Sequence, residues 1–291
     1  MSSSVDPELI PILWINLNSA HLRRARMEWA LQTGGWHSHR FTAVDSSNHN
    51  QLFFPIPSFF RRGTKYPGIY RSDEKYPSRR TTRAELACLA SWKRLLVLAS
   101  RVHAPIGWYL LMEDDLGSCL SVPHAWSYSL VDLIDKSPSS TLAIQLAPVS
   151  ASARKNLYQI WSLSDGHCLS VPKEGIRSHG NGAILLHHTA FKFLIDHFLI
   201  LCSSVLPNFH PLFYPFRVRP VADKWIYAAL PPGSCQVSTY PHFCLDAEDS
   251  SLHSDHVHLF HRPSRDLTLD LWRQDERYPL LHAQSLWEQI L

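Results

Sequence analysis

Residues 106–115, IGWYLLMEDD, join an apolar run to three consecutive carboxylates, Glu113, Asp114 and Asp115. The run is too short for a core helix and rich in Trp, Tyr and Leu, so it reads as a buried strand. Its acids emerge at the C-terminal end, the edge at which open α/β sheets bind their ligands. Nothing adjacent in the chain neutralises them.

Upstream, IPILWINL at 10–17 reads as another buried strand. SAHLRRARMEWALQT follows as a helix, with Ser19 as its expected cap and Gly34-Gly35 as its stop. HRFTAVD then alternates into a second strand ending at Asp45. Strand, helix and strand in this order form the βαβ signature of an α/β sheet. Residues 46–80 break the pattern, with Pro55, Pro57, Pro67 and Pro77 among aromatic and basic residues. A long segment without periodicity reads as a flexible or acceptor-side loop.

TTRAELACLASWKRLLVLAS has the clearest helical stripe, at Leu86, Leu89, Ala90 and Leu96, with Thr82 and Glu85 spaced as a capping box. Beyond the acids, the sequence predicts a helix near 122–136, a strand in TLAIQLAP and an irregular stretch to about 180. NGAILLHH, TAFKFLIDHFLIL and ADKWIYAAL then read as strand, helix and helix. The expected organisation is one domain over 1–250 and a C-terminal appendage, 251–291, packed on it.

Composition narrows the classes. Hydrophobic residues make up 45% and charged residues 18%, which excludes a disordered chain. A formal charge of +3 is too small to argue for nucleic acid. The six cysteines (Cys88, Cys119, Cys168, Cys202, Cys235 and Cys244) have no close pair, so neither zinc spacing nor a disulfide framework is visible. With no signal peptide or transmembrane segment evident, a cytoplasmic location is expected.

Three carboxylates at a strand end suit Mg²⁺ or Mn²⁺, hard cations that take oxygen ligands and complete their shell with phosphate oxygens. In an extended chain Glu113 and Asp115 share a face and Asp114 points away. On that geometry Asp115 is the first choice as metal ligand, with Glu113 beside it. An exposed acidic turn, or a helix start with acids in its first turn, explains the same residues without metal.

The order of segments resembles glycosyltransferase family 25, the lipopolysaccharide and collagen galactosyltransferase-like enzymes. WINLNSAHLRRARM resembles that family's opening strand and arginine-bearing helix, and FTAVD its second strand. TRAELACLASWKRLL resembles its glutamate-to-serine helix, with Glu85, Cys88 and Ser91 in matching positions. LLMEDD, HGNGAILLHHTAF and PVADKW resemble its acidic, glycine-bearing and proline–aspartate elements. Trp92 stands where the family usually has His.

The resemblance implies a GT-A-like (Rossmann-like) nucleotide-sugar-binding fold, with a mixed, mostly parallel sheet flanked by helices. It implies a metal-dependent glycosyltransferase, inverting, that moves a sugar from a UDP-sugar to a glycan, glycolipid or glycoprotein hydroxyl. Glu113 and Asp115 would flank Mn²⁺ or Mg²⁺, with His256 from the histidine-rich 253–261 stretch as a late ligand. Asn16, Leu17, Arg23, Arg26, Asp45, Glu85, Ser91, Asp114, Asn181 and Gly182 would line the donor site. Asp223 is the first choice as catalytic base, with Asp246, Glu248 and Asp249 as rivals. The alternatives are a metal-dependent phosphohydrolase and a non-catalytic nucleotide- or carbohydrate-binding descendant of the fold.

Overall fold

The computed structural model describes residues 9–47, 83–123, 126–204, 221–245 and 257–274. Residues 48–80 of the expected loop, the Thr82 cap, Asp246, Glu248, Asp249 and His256 lie outside these residues.

Strand β1 (Ile12–Asn16) is buried at every position. It pairs in parallel with β2 (Ser38–Thr42) on one side and β3 (Trp108–Met112) on the other. Helix α1 (His21–Thr33) makes the crossover between β1 and β2, as the βαβ pattern requires. Among the described residues, seven strands form one sheet in the order β2-β1-β3-β6-β4-β7-β5. Strand β6 (Ala183–His187) runs antiparallel between β3 and β4 (Ala143–Gln145). Strand β7 (Cys235–Ser238) is parallel to β4, and β5 (Ser170–Pro172) closes that edge antiparallel to β7. Pro172 lacks an N–H and is tolerated at an edge.

Because side chains alternate, the central strands β1, β3, β4 and β6 each feed two cores. Ile12, Trp14, Leu110, Met112 and Leu185 pack on one face against Met27 and Leu31 of α1. That core also takes Leu133 of α3 (Leu130–Lys136), Trp161 of α4 (Ala151–Leu163) and Trp272 of α7 (Arg262–Gln274). Leu13, Ile15, Leu111, Ile184 and Leu186 pack on the other face. They meet Trp92, Leu95 and Leu96 of α2 (Arg83–Ala99), Phe191 and Leu194 of α5 (His188–Ser204), and Trp225 and Ile226 of α6 (Ala222–Ala229). Helices on both faces of a mixed sheet define an α/β fold, as the sequence predicts.

Several boundaries differ from expectation. The N-cap of α1 is Ala20, not Ser19, and makes no side-chain cap bond. Asn16 Nδ2 donates to the Ala20 carbonyl and so ties the helix start to β1. Strand β2 stops at Thr42. The helix expected near 122–136 is confined to α3, because Ser129 and Asp132 close a reciprocal capping box at its start. The stretch expected to be irregular contains α4, which begins where Ser150 Oγ accepts the Ala153 N–H.

Candidate functional site

The first functional consequence of this topology is a meeting of chain ends. The C-terminal ends of β1, β3 and β4 abut the N-terminal end of the reversed strand β6, where Met112 pairs with Ala183 and Gln145 with Ile184. The Glu113 N–H donates to the Gly182 carbonyl at 2.9 Å, so the acids leave β3 alongside the glycine segment. Residues 114 and 115 form a turn, and Leu116 then bridges to Leu245.

The three acids point to different partners. Asp114 accepts from Asn16 Nδ2 at 2.5 Å and pairs with Arg23 Nη1 at 3.1 Å. Asn16, 1% exposed, also accepts from Arg40 at 3.1 Å, so β1, α1 and β2 are tied to this carboxylate. Glu113 turns toward α2, where Trp92 Nε1 donates to Oε1 at 2.7 Å and the Cys88 thiol lies 3.6 Å away. Asp115 lies against Gly182: a Cβ added to that glycine would stand 3.4 Å from Oδ1. That Oδ1 is buried and has no hydrogen-bond partner.

Burial lifts all three carboxyls. Glu113 is pushed up to about 8 by desolvation and then by the Asp115 charge, against the Trp92 hydrogen bond. Desolvation raises Asp114 to about 6, opposed by Arg23 and Asn16. Asp115 is also raised to about 6, with Arg23 opposing. The site therefore carries more buried acid than its arginine neutralises.

Asp223, in the first turn of α6, reaches the same region. Its Oδ2 accepts the Gly180 N–H at 3.2 Å. The Cys88 thiol is raised by burial and then by the charges of Glu113, Asp223 and Asp115. Gly180 has φ +95°, a left-handed conformation that glycine adopts without strain, and a Cβ there would run into Val149. Asn181 is 3% exposed, and neither its Oδ1 nor its Nδ2 has a partner.

The structure thus brings together Asn16, Arg23, Glu113, Asp114, Asp115, Asn181, Gly182 and Asp223. Leu17 is half-buried just past β1 and accepts the Ala20 N–H. Arg26 is half-buried on α1, and Glu85 is buried in the first turn of α2. Ser91 Oγ accepts the Val44 N–H and donates to the Ala87 carbonyl, each at 2.8 Å, anchoring the chain after β2 to α2. Asp45 is occupied by its own turn. Its carboxylate takes the Ser47 hydroxyl and N–H, and these bonds lower its pKa.

Three groups escaped sequence reasoning: Gln145, Lys173 and Tyr227. Gln145 is fully buried at the end of β4, and a lone glutamine inside the apolar run TLAIQLAP was its available signal. Lys173 Nζ lies 4.1 Å from the centroid of the Tyr227 ring. Burial lowers the lysine to about 8, with Asp223 opposing.

Fold and site together define a mixed α/β protein with a buried acidic centre at the sheet edge. Among the described residues, no three His, Cys, Asp or Glu side chains form a metal-sized cluster, and no helix is long and apolar enough to cross a membrane. No family model and no curated protein matches the chain. Among solved structures it is similar to a glycosyltransferase involved in glycosylation of the major capsid of PBCV-1. That match has 16% identity and a TM-score of 0.33, covering 78% of this chain and 80% of the other. It is also similar to mouse xyloside xylosyltransferase 1 in its apo form, with 12% identity, a TM-score of 0.35, and 78% and 84% of the two chains covered.

Proposed function

We propose that this chain is a divalent-cation-dependent glycosyltransferase. It takes a sugar from a nucleotide donor, UDP-linked by the family resemblance, and delivers it with inversion to a glycan, glycolipid or glycoprotein hydroxyl. The observation that carries this reading is the buried, unpartnered Oδ1 of Asp115 within a set of acids whose charge Arg23 only partly offsets. A carboxylate oxygen shut away from water without a donor is costly unless a cation meets it.

Asp115 and Glu113 are the residues that would hold the cation. Two carboxylates suffice where phosphate oxygens and water complete the shell, as is usual for Mg²⁺. When bound, such an ion offsets charge on the departing diphosphate. Asp114, held by Asn16 and Arg23, orients the nucleoside side of the site, and the Gly180–Gly182 backbone allows close approach of the sugar. Asp223, as a carboxylate, takes the proton from the acceptor hydroxyl.

A second reading, a binding protein of the same fold without turnover, rests on one contact. Trp92 occupies a Glu113 oxygen that a metal would otherwise use.

Calorimetry with UDP, with and without Mn²⁺, tests the first reading. UDP should bind only when Mn²⁺ is present, and Asp115→Ala should abolish that binding while circular dichroism stays unchanged. Metal-independent UDP binding, or none, would sink the proposal. Metal-dependent binding without transfer from any UDP-sugar selects the second reading.

A further inference from the structure

Residues 178–182 are held in place from three elements. From β4, Gln145 Nε2 donates to the carbonyls of Gly180 at 2.6 Å and His179 at 3.2 Å. Its Oε1 accepts from Ser178 Oγ at 2.5 Å and from Lys173 Nζ at 2.8 Å. From the short 3₁₀ turn Lys173–Gly175, Lys173 Nζ also donates to Ser178 Oγ at 2.8 Å and to the Ser178 carbonyl at 3.0 Å. From α6, Asp223 takes the Gly180 N–H. All three ammonium protons of Lys173 thus have neutral oxygen acceptors, and its charge lies over the Tyr227 ring.

Burying an ammonium whose direct acceptors are all neutral is expensive, and an apolar side chain would fill the same space at less cost. What the lysine supplies is a clamp: Gln145 and Ser178 bond each other directly, and Lys173 adds a bridge from Gln145 Oε1 to both oxygens of Ser178 that holds the turn leading to Asn181. The next side chain along is the anomaly. Asn181 buries both a donor and an acceptor with no partner for either, whereas Gln145, Lys173 and Ser178 beside it are bonded to one another. An amide presents donor and acceptor side by side, which matches the paired donor and acceptor character of sugar hydroxyls.

We infer that Lys173 is a positioning residue: with Gln145 it fixes the 178–182 segment so that the Asn181 amide meets hydroxyls of the donor's sugar. This rests on the transferase reading for the ligand, but not for the positioning. Lys173→Met keeps the side-chain length and removes the bridge.

Two measurements test it. In ligand-free protein, amide exchange at 180–182 should be at least about tenfold faster in Lys173→Met than in wild type, because the opening free energy of the segment falls. In calorimetry with Mn²⁺, Lys173→Met should keep its affinity for UDP within about twofold. It should lose about tenfold of the extra affinity that UDP-glucose or UDP-galactose has over UDP, the scale of one lost hydrogen bond. Asn181→Ala should lose the same increment, and the double variant should be no worse than either single one.

Unchanged exchange at 180–182 overturns the positioning role. So do additive losses in the double variant, or equal loss of UDP and UDP-sugar binding in Lys173→Met. A wild-type protein that binds neither UDP nor the UDP-sugars overturns the transferase reading and the ligand assigned to Asn181. The exchange experiment uses no ligand and tells that failure apart.

Discussion

Trp92 Nε1 donates to Glu113 Oε1 at 2.7 Å, joining the middle of helix α2 to the first acid after strand β3. The indole is wholly buried, so the bond forms away from competing water. It is the strongest feature holding Glu113 toward α2, and it opposes the upward push of burial on that carboxyl. Trp92→Phe keeps an aromatic ring in the core and removes the donor. The variant should lose about 1–3 kcal/mol of stability, the range for stranding a buried hydrogen-bonding group. The loss should grow with pH, because ionised Glu113 needs the donor more than the neutral acid does. Urea unfolding on either side of neutrality checks both parts; a loss independent of pH would assign the effect to packing alone.

The three raised carboxyls make the stability of the metal-free fold fall as pH rises. The folded values lie above the ordinary 3.8 for Asp and 4.5 for Glu, so the folded chain keeps protons that the unfolded chain releases. Their contribution is complete below the ordinary values, and is lost as pH rises through about 6 for Asp114 and Asp115 and about 8 for Glu113. Metal-free protein should therefore melt at a lower temperature at about pH 9 than at about pH 5. Mn²⁺ competes with the same protons, so the rise in Tm that it produces should be larger at the alkaline end. Scanning calorimetry across this range decides the matter, and an Mn²⁺ effect that shrinks with rising pH contradicts the assignment of the ligands.

The two glycines around Asn181 should respond differently to the same substitution. Gly180 has a left-handed φ, and an added Cβ would be driven into Val149. Gly180→Ala should cost about 2 kcal/mol or more. At Gly182 the added carbon would meet Ala147, Asp115 and Leu116 at ordinary contact distances of 3.4 Å. Gly182→Ala should stay within about 1 kcal/mol of wild type. It crowds the unpartnered Asp115 oxygen, however, and should weaken Mn²⁺-dependent UDP binding by about tenfold or more. Unfolding curves paired with calorimetry separate the two, and equal effects on stability would refute the distinction.

Much of this architecture was legible because it follows from periodicity. Ile12–Asn16, Trp108–Met112 and Ala183–His187 are short apolar runs that start after Pro or Gly and end at or just before a polar residue, and each became a strand of the central sheet. The direction of β6 was not legible, since an apolar run carries no sign of the sense in which it pairs. Helix α4 was missed although Ala153, Leu157 and Trp161 recur every four residues and Ser150 caps it, because the cysteine- and glycine-containing segment beyond it masked the pattern. Strand β7 was missed because Gln236 and Ser238 are buried polar residues in a four-residue run. At the site, strand ends pointed to Asn16 and the acids. Lys173 and Tyr227 come from a turn and a helix that only tertiary folding brings near them.

The C-terminal segment offers the last test. Helix α7 buries Ser264, Thr268, Leu271 and Trp272, and packs against α4. Trp272 is 2% exposed, belongs to the same core as Trp14 and Trp161, and donates from Nε1 to the Pro241 carbonyl at 2.9 Å. Its removal leaves both a large void and an unpaired carbonyl. Trp272→Ala should therefore cost about 3–5 kcal/mol. One residue on, Arg273 is exposed and pairs with Asp270 at 2.9 Å on the same helix. Arg273→Ala should change stability by no more than about 0.5 kcal/mol, as is usual for exposed ion pairs. If chemical denaturation gave the two variants similar, small losses, α7 would be a peripheral addition. A large loss confined to Trp272→Ala makes the helix part of the core that supports the sheet beneath the acidic site.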